Sequence, residues 1–253
     1  PLGGTPRERA KVITDIIRSR KKAGIRAEFH YLSEEVIKEL QPEKSVLVET
    51  DPVLSDYIYP IENLARLEQS KRLRERRNQA ASFLKEHPEA QTQVLAELPA
   101  QTRQFFLRQS QAFLDDWQKE RMQRASGADA LERDTLQAES LASIDLTKSL
   151  QGPGTVQMTL SDGGKILGYA SGEIRDGPKP ETKMLVIYVQ KSDGTKNAIP
   201  YLNQALVREV FDHPEKYGKV DYVNMMDASN AGLRQFKKHY EPDPLLGQVW
   251  KAY

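Results

Sequence analysis

At 253 residues the chain is long enough to bury a sizeable core, as one large domain or as two lobes sharing an interface. Its 37 Lys and Arg against 36 Asp and Glu leave a formal net charge of +1, so any nucleic-acid contact has to use a local patch. The absence of Cys excludes disulfides, thiolate catalysis and Cys-ligated metal, and His30, His87, His213 and His239 show no paired metal spacing, so no metal is expected.

No apolar run approaches the length needed to cross a bilayer and no signal-peptide pattern opens the chain. The expectation is a soluble, cytoplasmic protein whose membrane contact is at most peripheral. Pro1-Leu2-Gly3-Gly4 reads as the remnant of a cleaved tag, with the natural chain starting earlier. Residues 6 to 23 carry Val12, Ile13, Ile16 and Ile17 at helical spacing among charges, with Gly24 as a C-cap. A short strand over 25–32, a helix over 33–40 capped by Ser33, and a strand over 45–49 complete a small mixed opening segment. From Ile61 to Glu86 the pattern is helical, closed by His87-Pro88. Two further helices are predicted over 100–124 and 129–150, with a break at Ser126-Gly127-Ala128.

The last hundred residues change character. Thr155 to Leu160 and Lys165 to Ala170 flank Ser161-Asp162-Gly163-Gly164, a hairpin signature, and Met184 to Val189 suits a central buried strand. A helix over 199–211, a strand over 222–225, a helix over 231–239 and a last strand over 248–253 follow. In that element order the C-terminal half resembles the GNAT acyltransferase superfamily. The expected fold is α/β: a GNAT-like mixed sheet in a C-terminal lobe (137–253), a helical connector (59–136) and a partial second GNAT-like lobe (5–58) after the remnant at 1–4.

Several strings carry a more specific resemblance. Asp56-Tyr57-Ile58-Tyr59, Leu64, Leu67, Lys71, Arg76-Arg77-Asn78 and Phe83 come first, then Glu139-Ser140-Leu141-Ala142-Ser143-Ile144 and Tyr169-Ala170-Ser171-Gly172-Glu173. Gly232-Leu233-Arg234, Lys237, Tyr240 and Pro242 close the series. In order and spacing they are similar to the C-terminal domain family of phosphatidylglycerol lysyltransferases. The chain departs from the family's pattern at Gln190-Lys191 and over Met225 to Ala231, where relatives tend to carry more acid.

The resemblance implies an aminoacyltransferase that moves an amino acid from aminoacyl-tRNA to a hydroxyl of a lipid acceptor, phosphatidylglycerol or a sterol, at a membrane surface. It implies no cofactor beyond that co-substrate, and a partner or fused tRNA synthetase or membrane domain. An aminoacyl ester is already activated, so its transfer needs positioning, oxyanion stabilisation and one proton moved. Lys237 is the first candidate for the oxyanion, since Phe236-Lys237 also resembles the Phe-Lys pair of Fem-type peptidyl transferases; by spacing alone Lys237 and Lys238 read as an exposed helix face. Asp227 is a candidate to bind the substrate ammonium or accept a proton, or else a turn cap, and Glu139 is a second candidate base. Arg234, on the Lys237 face, together with Asn224, Phe236 and Tyr188, is expected to bind substrate. A lipid tunnel would draw on Tyr57, Tyr59, Met184 and Tyr188, residues that otherwise read as core. Lys71, Arg72, Arg74, Arg76, Arg77 and Asn78, joined by Lys191, form the expected tRNA patch, although a charge run is ordinarily a solvated face.

Two alternatives stand beside this reading. An acetyl-CoA-dependent GNAT enzyme needs a pyrophosphate loop after the central strand, where Gln190 to Asn197 has its glycine one place late and Lys196 where a small residue belongs. A non-catalytic tRNA- or partner-binding module would use the basic helix alone.

Overall fold

Helix α1 (Pro6–Lys22) starts where its capping chemistry dictates. The Thr5 hydroxyl accepts the Glu8 N–H, the Glu8 carboxylate accepts the Thr5 N–H at 2.8 Å, and Pro6 takes the first position, where its missing donor is harmless. The computed structural model describes residues 4–43, 45–50, 55–69, 73–124, 130–150, 152–228, 231–243, 246–247 and 250–252. The expected break at Ser126-Gly127-Ala128 lies outside them. The chain divides into two compact units, the first formed by Pro1–Tyr57, Asp227–Lys237 and Asp243–Tyr253 and the second by Ile58–Met226 and Lys238–Pro242.

In the first unit α1 is followed by β1 (Phe29–Leu32), α2 (Glu34–Leu40) and β2 (Val48–Thr50). Ala10, Ile13 and Ile17 on one face of α1 pack with Val36, Ile37 and Leu40 of α2, with Val46 and with Ala252. This apolar stripe fixes which side of the helix faces inward.

The second unit begins with β3 (Ile58–Pro60), α3 (Ile61–Ala65), α4 (Arg74–Glu86) and β4 (Gln91–Val94). The stretch read as one helix from Ile61 to Glu86 is thus interrupted, because Arg66 leaves helical geometry (φ −109°, ψ 51°). Next come α5 (Ala100–Arg124), α6 (Ala130–Ser149), the hairpin β5 (Thr155–Asp162) and β6 (Lys165–Asp176), and β7 (Lys183–Ser192). Helix α7 (Ala198–Asp212), the short α8 (Pro214–Tyr217) and β8 (Tyr222–Asn224) lead to α9 (Ala231–Lys238), after which β9 (Trp250–Ala252) ends the described chain.

Six strands form one sheet in the order β3-β8-β7-β6-β5-β4, antiparallel except for the parallel pair β7-β8. This is the GNAT-like mixed sheet expected from the hairpin, buried strand, helix and strand order. The final strand does not extend it: β9 runs antiparallel between β1 and β2 in a separate three-stranded sheet.

Helices cover both faces of the large sheet. Tyr169 and Val189 pack beneath Leu114 of α5, with Ile144 and Leu146 of α6 close by. On the other face Gly168 lets Leu202 of α7 approach, so closely that an added Cβ would lie 3.1 Å from it, and α3 and α4 pack on α7. The helical middle of the sequence therefore builds a layer of this unit. Among the described residues no helix is long and apolar enough to cross a membrane.

Polar residues line the buried face under α5 and α6. Gln157, Thr159, Tyr169, Ser171 and Thr147 are all buried. Gln157 donates to the Thr147 carbonyl at 3.1 Å and also to that of Leu150, satisfying the C-terminal turn of α6. Burial pushes the Tyr169 phenol up to about 12, against the opposing influence of Thr147 and Ser171.

Between Ser171 and Gly172 the β6-β7 register shifts, and a Cβ at Gly172 would fall 2.5 Å from the Val186 carbonyl oxygen. Backbone cannot yield as a flexible side chain can. Gly172→Ala is expected to lower stability by about 1–3 kcal/mol in urea unfolding. An unchanged midpoint would show that the two strands are not this close.

Candidate active site

The parallel pair sets the frame of the second unit's polar groups. Strand β8 stops at Asn224, opposite Val186, while β7 runs on to Ser192, so the β7-β8 pairing ends halfway along β7. Open α/β sheets bind ligands beyond the carboxyl ends of parallel strands, where such pairing stops. Asn224 is buried, and its side-chain oxygen accepts the Met226 N–H at 2.6 Å, holding Met226 at φ 62°, in the left-handed region that non-glycine residues seldom adopt. The oxygen of Asn224, expected to meet substrate, is thus engaged in turning the chain.

Arg76 is the second feature of this unit. It lies within a run of cations yet is only 5% exposed. One guanidinium nitrogen donates to Gln79 Oε1 at 2.6 Å and another to His239 Nδ1 at 2.6 Å, while the guanidinium carbon sits 5.0 Å from the centre of the Tyr240 ring. A guanidinium only donates, so Nδ1 of His239 accepts and any neutral imidazole carries its proton on Nε2. Tyr240 packs edge-on against Tyr59, and burial pushes its phenol up to about 12, with Arg76 and Asn203 opposing. Arg76 therefore does not share the solvated face of its neighbours: Arg74 and Asn78 are exposed and Arg77 is half-buried. Lys71 and Arg72 lie outside the described residues.

The remaining expected residues of this unit spread over both sides of the sheet. Lys191 lies 4.2 Å from the centre of the Trp117 ring on α5, which Arg121 also faces at 5.5 Å. It belongs to the face opposite α7 and α4, and does not join the α4 cations. Tyr188 packs into the cluster under α5 and α6 and hydrogen-bonds Arg175, whereas Tyr59 is fully buried against Tyr240. These two tyrosines share no tunnel wall. Glu139 falls on α6, and its side chain lies outside the described set.

The loop after β7 decides how the α7 N-terminus is used. Asp193 accepts the Thr195 N–H at 3.0 Å and its hydroxyl at 2.6 Å, and Lys165 at 2.6 Å. Burial raises the Asp193 carboxyl, but these hydrogen bonds outweigh it and hold the group below its usual value. A backbone N–H that could cradle a phosphate is already occupied by the protein's own anion.

In the first unit, α9 presents its functional side chains around Tyr57. Lys237 is buried, 7% exposed, while Lys238 is exposed, so the two lysines do not form one solvated face. Lys237 Nζ donates to the Asp227 backbone carbonyl and lies 5.9 Å from the centre of the Tyr57 ring. Asp227 thus holds the ammonium through its main chain and keeps an exposed side chain. Burial raises the Tyr57 phenol, and the Arg234 charge opposes that rise. Arg234 is half-buried, with Nε lacking a hydrogen-bond partner among the described residues. Phe236 is half-buried on the same helix. Tyr57 itself is positioned by its neighbour: the Asp56 N–H donates to the Gly247 carbonyl at 2.8 Å, and Gly247, at φ 71°, has no room for a Cβ, which would fall 2.5 Å from the Asp56 oxygen.

Within the first unit Lys237, Arg234, Asp227 and Tyr57 are brought together. Arg76 as a buried clamp and Asp193 as an occupant of the loop were not anticipated. The first is masked by its cationic neighbours, but the second had a signal in Ser192-Asp193-Gly194-Thr195, a turn-forming string with Asp two residues before an N–H. Among the described residues no group of three or more His, Cys, Asp and Glu could hold a metal ion.

A family model described as phosphatidylglycerol lysyltransferase, C-terminal, matches residues 1–251. A search of curated proteins finds no match. A conserved protein of unknown function from Bacteroides thetaiotaomicron is similar in structure, with a TM-score of 0.64 and 18% identity over 96% of this chain and 74% of that one. The C-terminal domain of a protein assigned as a lysylphosphatidylglycerol synthetase in Agrobacterium fabrum aligns with a TM-score of 0.51 and 12% identity, over 96% of this chain and 72% of that one.

Truncating Arg76 would strand His239 and Gln79 and empty the space over Tyr240. Arg76→Ala is expected to destabilise by about 2–3 kcal/mol in chemical unfolding, and Arg76→Lys to recover only part, because an ammonium lacks the planar fork. A wild-type midpoint combined with weakened tRNA binding would instead make Arg76 a surface contact.

Proposed function

Because the chain belongs to the phosphatidylglycerol lysyltransferase C-terminal family, a family of lipid aminoacyltransferases, we propose that it transfers an aminoacyl group from aminoacyl-tRNA to a hydroxyl of a lipid acceptor. The observation that carries this reading is Lys237, a buried ammonium anchored on the Asp227 carbonyl beside Tyr57, with Arg234 one turn earlier. A cation fixed in a partly dry site strengthens its hold on an oxygen as that oxygen gains negative charge.

The chemistry asks little else of the protein. The acceptor oxygen attacks the ester carbonyl carbon and forms a new C–O bond. The bond to the ribose oxygen then breaks, and that oxygen takes the proton released by the acceptor. Lys237 stabilises the carbonyl oxygen while charge builds on it. Asp227, with its carboxylate exposed, either relays the proton or holds the aminoacyl ammonium, with Glu139 the second candidate base. Arg234 binds the acceptor's phosphate by its planar fork, and Tyr57, its pKa raised, stays a neutral phenol beside both cations. Phe236 lines the same helix. Arg74, Arg77 and Asn78 on α4, with Lys71 and Arg72 before it, are the proposed contacts to the tRNA backbone. No cofactor is required.

The acetyl-CoA alternative is weakened by Asp193, which occupies the Thr195 N–H where a pyrophosphate would bind. Acetyl-CoA is accordingly expected to leave the Tm unchanged, and a clear ligand-dependent rise would favour that donor instead.

The direct test incubates the protein with charged total tRNA, one radiolabelled amino acid at a time, and extracts with organic solvent. A base-labile, lipid-soluble product is expected with at least one amino acid, and its absence with all of them would sink the reading. Lys237→Ala is expected to lower kcat by about 10²–10³-fold while folding is retained. A wild-type rate would remove Lys237 from the oxyanion role.

A further inference from the structure

The first unit carries a feature the proposed chemistry does not use. Between the C-terminal end of α1 and the segments 24–27 and 45–47 lies a recess of about 630 Å³, lined by Ile17, Ile25, Ala27, Val46 and Leu47 with Lys21 beside them. Its floor reaches the core at Ile17 and Val46, while Ile25 and Leu47 stand at its rim 48% and 56% exposed. The two exposed aliphatic tips thus flank one apolar recess.

The charge on α1 and the turn after it is mostly positive. Residues 6–26 hold eight Lys and Arg against two acids, in a chain whose formal net charge is only +1. Arg18 is engaged by Glu43 and Ser45, and Arg26 faces Glu28 at 3.9 Å. Arg20, Lys21 and Lys22, in the last turn of α1, are exposed and have no partner among the described residues. Cations at a helix C-terminus ordinarily complement the helix dipole. That explanation covers the three cations and leaves the open Ile25, Leu47 and cavity between them unexplained.

We propose that this recess and its basic rim dock the protein on an anionic bilayer, with Ile25 and Leu47 inserting among acyl chains while Arg20, Lys21 and Lys22 meet lipid phosphates. Aliphatic residues next to unpaired cations are the composition that interfacial binding requires. An RNA backbone needs the cations but gains nothing from an aliphatic pocket. The surface deepens the lipid-acceptor reading and rests on it for the bilayer as the place where substrate is found.

The test is co-sedimentation of the full chain with vesicles of phosphatidylcholine alone and of an equimolar phosphatidylcholine–phosphatidylglycerol mixture, without tRNA. Binding to the anionic vesicles, weakened by salt, is expected. The triple variant Arg20→Ala, Lys21→Ala, Lys22→Ala is expected to bind about a hundred-fold more weakly, near five-fold for each cation. Ile25→Ser with Leu47→Ser is expected to lose about ten-fold or more through apolar contact alone. All these positions are exposed, and an unchanged circular dichroism spectrum and urea midpoint establish that the variants fold. Equal binding by wild type and both variants would overturn the proposal, as would loss of tRNA binding in the triple variant with vesicle binding intact. Transfer to a short-chain, water-soluble phosphatidylglycerol separates the two readings. Variants that fail on vesicles but transfer normally to this acceptor support the surface, and wild-type vesicle binding with these sensitivities supports it even where no transfer product forms.

Discussion

A single desolvated guanidinium fixes the segment around His239 and Tyr240 within the second unit. Arg76 joins α4 to His239 and Tyr240, and the segment Lys238–Pro242 that it grips belongs to the second unit while the residues on either side of it belong to the first. The burial of Arg76 is offset by the bonds from two of its nitrogens to Gln79 and His239 and by the Tyr240 ring face beside it. In the first unit Lys237 is held by its own bond to the Asp227 carbonyl. An ammonium held this way loses little further freedom when a substrate arrives, which is the condition electrostatic stabilisation needs.

Local pattern made much of the fold legible. Helices α5 and α7 and the β5-β6 hairpin fell where periodicity and the Ser161-Asp162-Gly163-Gly164 turn put them, because each is decided by contacts close in sequence. Strand β4, Gln91-Thr92-Gln93-Val94, was not legible, since it shows no apolar alternation and is defined only by its ladder to β5. The destination of β9 was hidden for the same reason. Pairing between β1 and a strand more than two hundred residues later depends on partners no local window contains. Arg66, where the Ile61 to Glu86 helix breaks, carries no Gly or Pro to announce it.

The site was legible in composition and illegible in orientation. Spacing could not tell Lys237 from Lys238, because adjacent residues on a helix point about 100° apart and only the packed partner decides which is buried. The same ambiguity made the five cations of the run from Lys71 to Arg77 look alike, although the buried Arg76 and the exposed Arg74 perform different tasks. On the sheet the polarity of individual residues did not announce which face is covered. Gln157, Thr159, Tyr169 and Ser171 are polar yet buried, and Gln157 uses its amide to satisfy the end of α6.

The two ends of the proposed reaction place opposite demands on one small protein, and the loop at Asp193 bears on how they are reconciled. A donor carried on coenzyme A would be held at the N-terminus of α7, but there the Asp193 carboxylate already satisfies the Thr195 N–H. Any anionic donor at that point would have to displace a carboxylate stabilised by Lys165 as well as by the loop. A donor attached to tRNA brings dozens of phosphates and can be held at a distance from its reactive ester, by cations such as Arg74 and Arg77, so the loop is released from that duty. An acceptor lodged in a bilayer, by contrast, cannot come to the enzyme. In the proposed reaction the protein has to settle on the acceptor's surface, and the aliphatic rim of the α1 recess is the surface proposed for that contact.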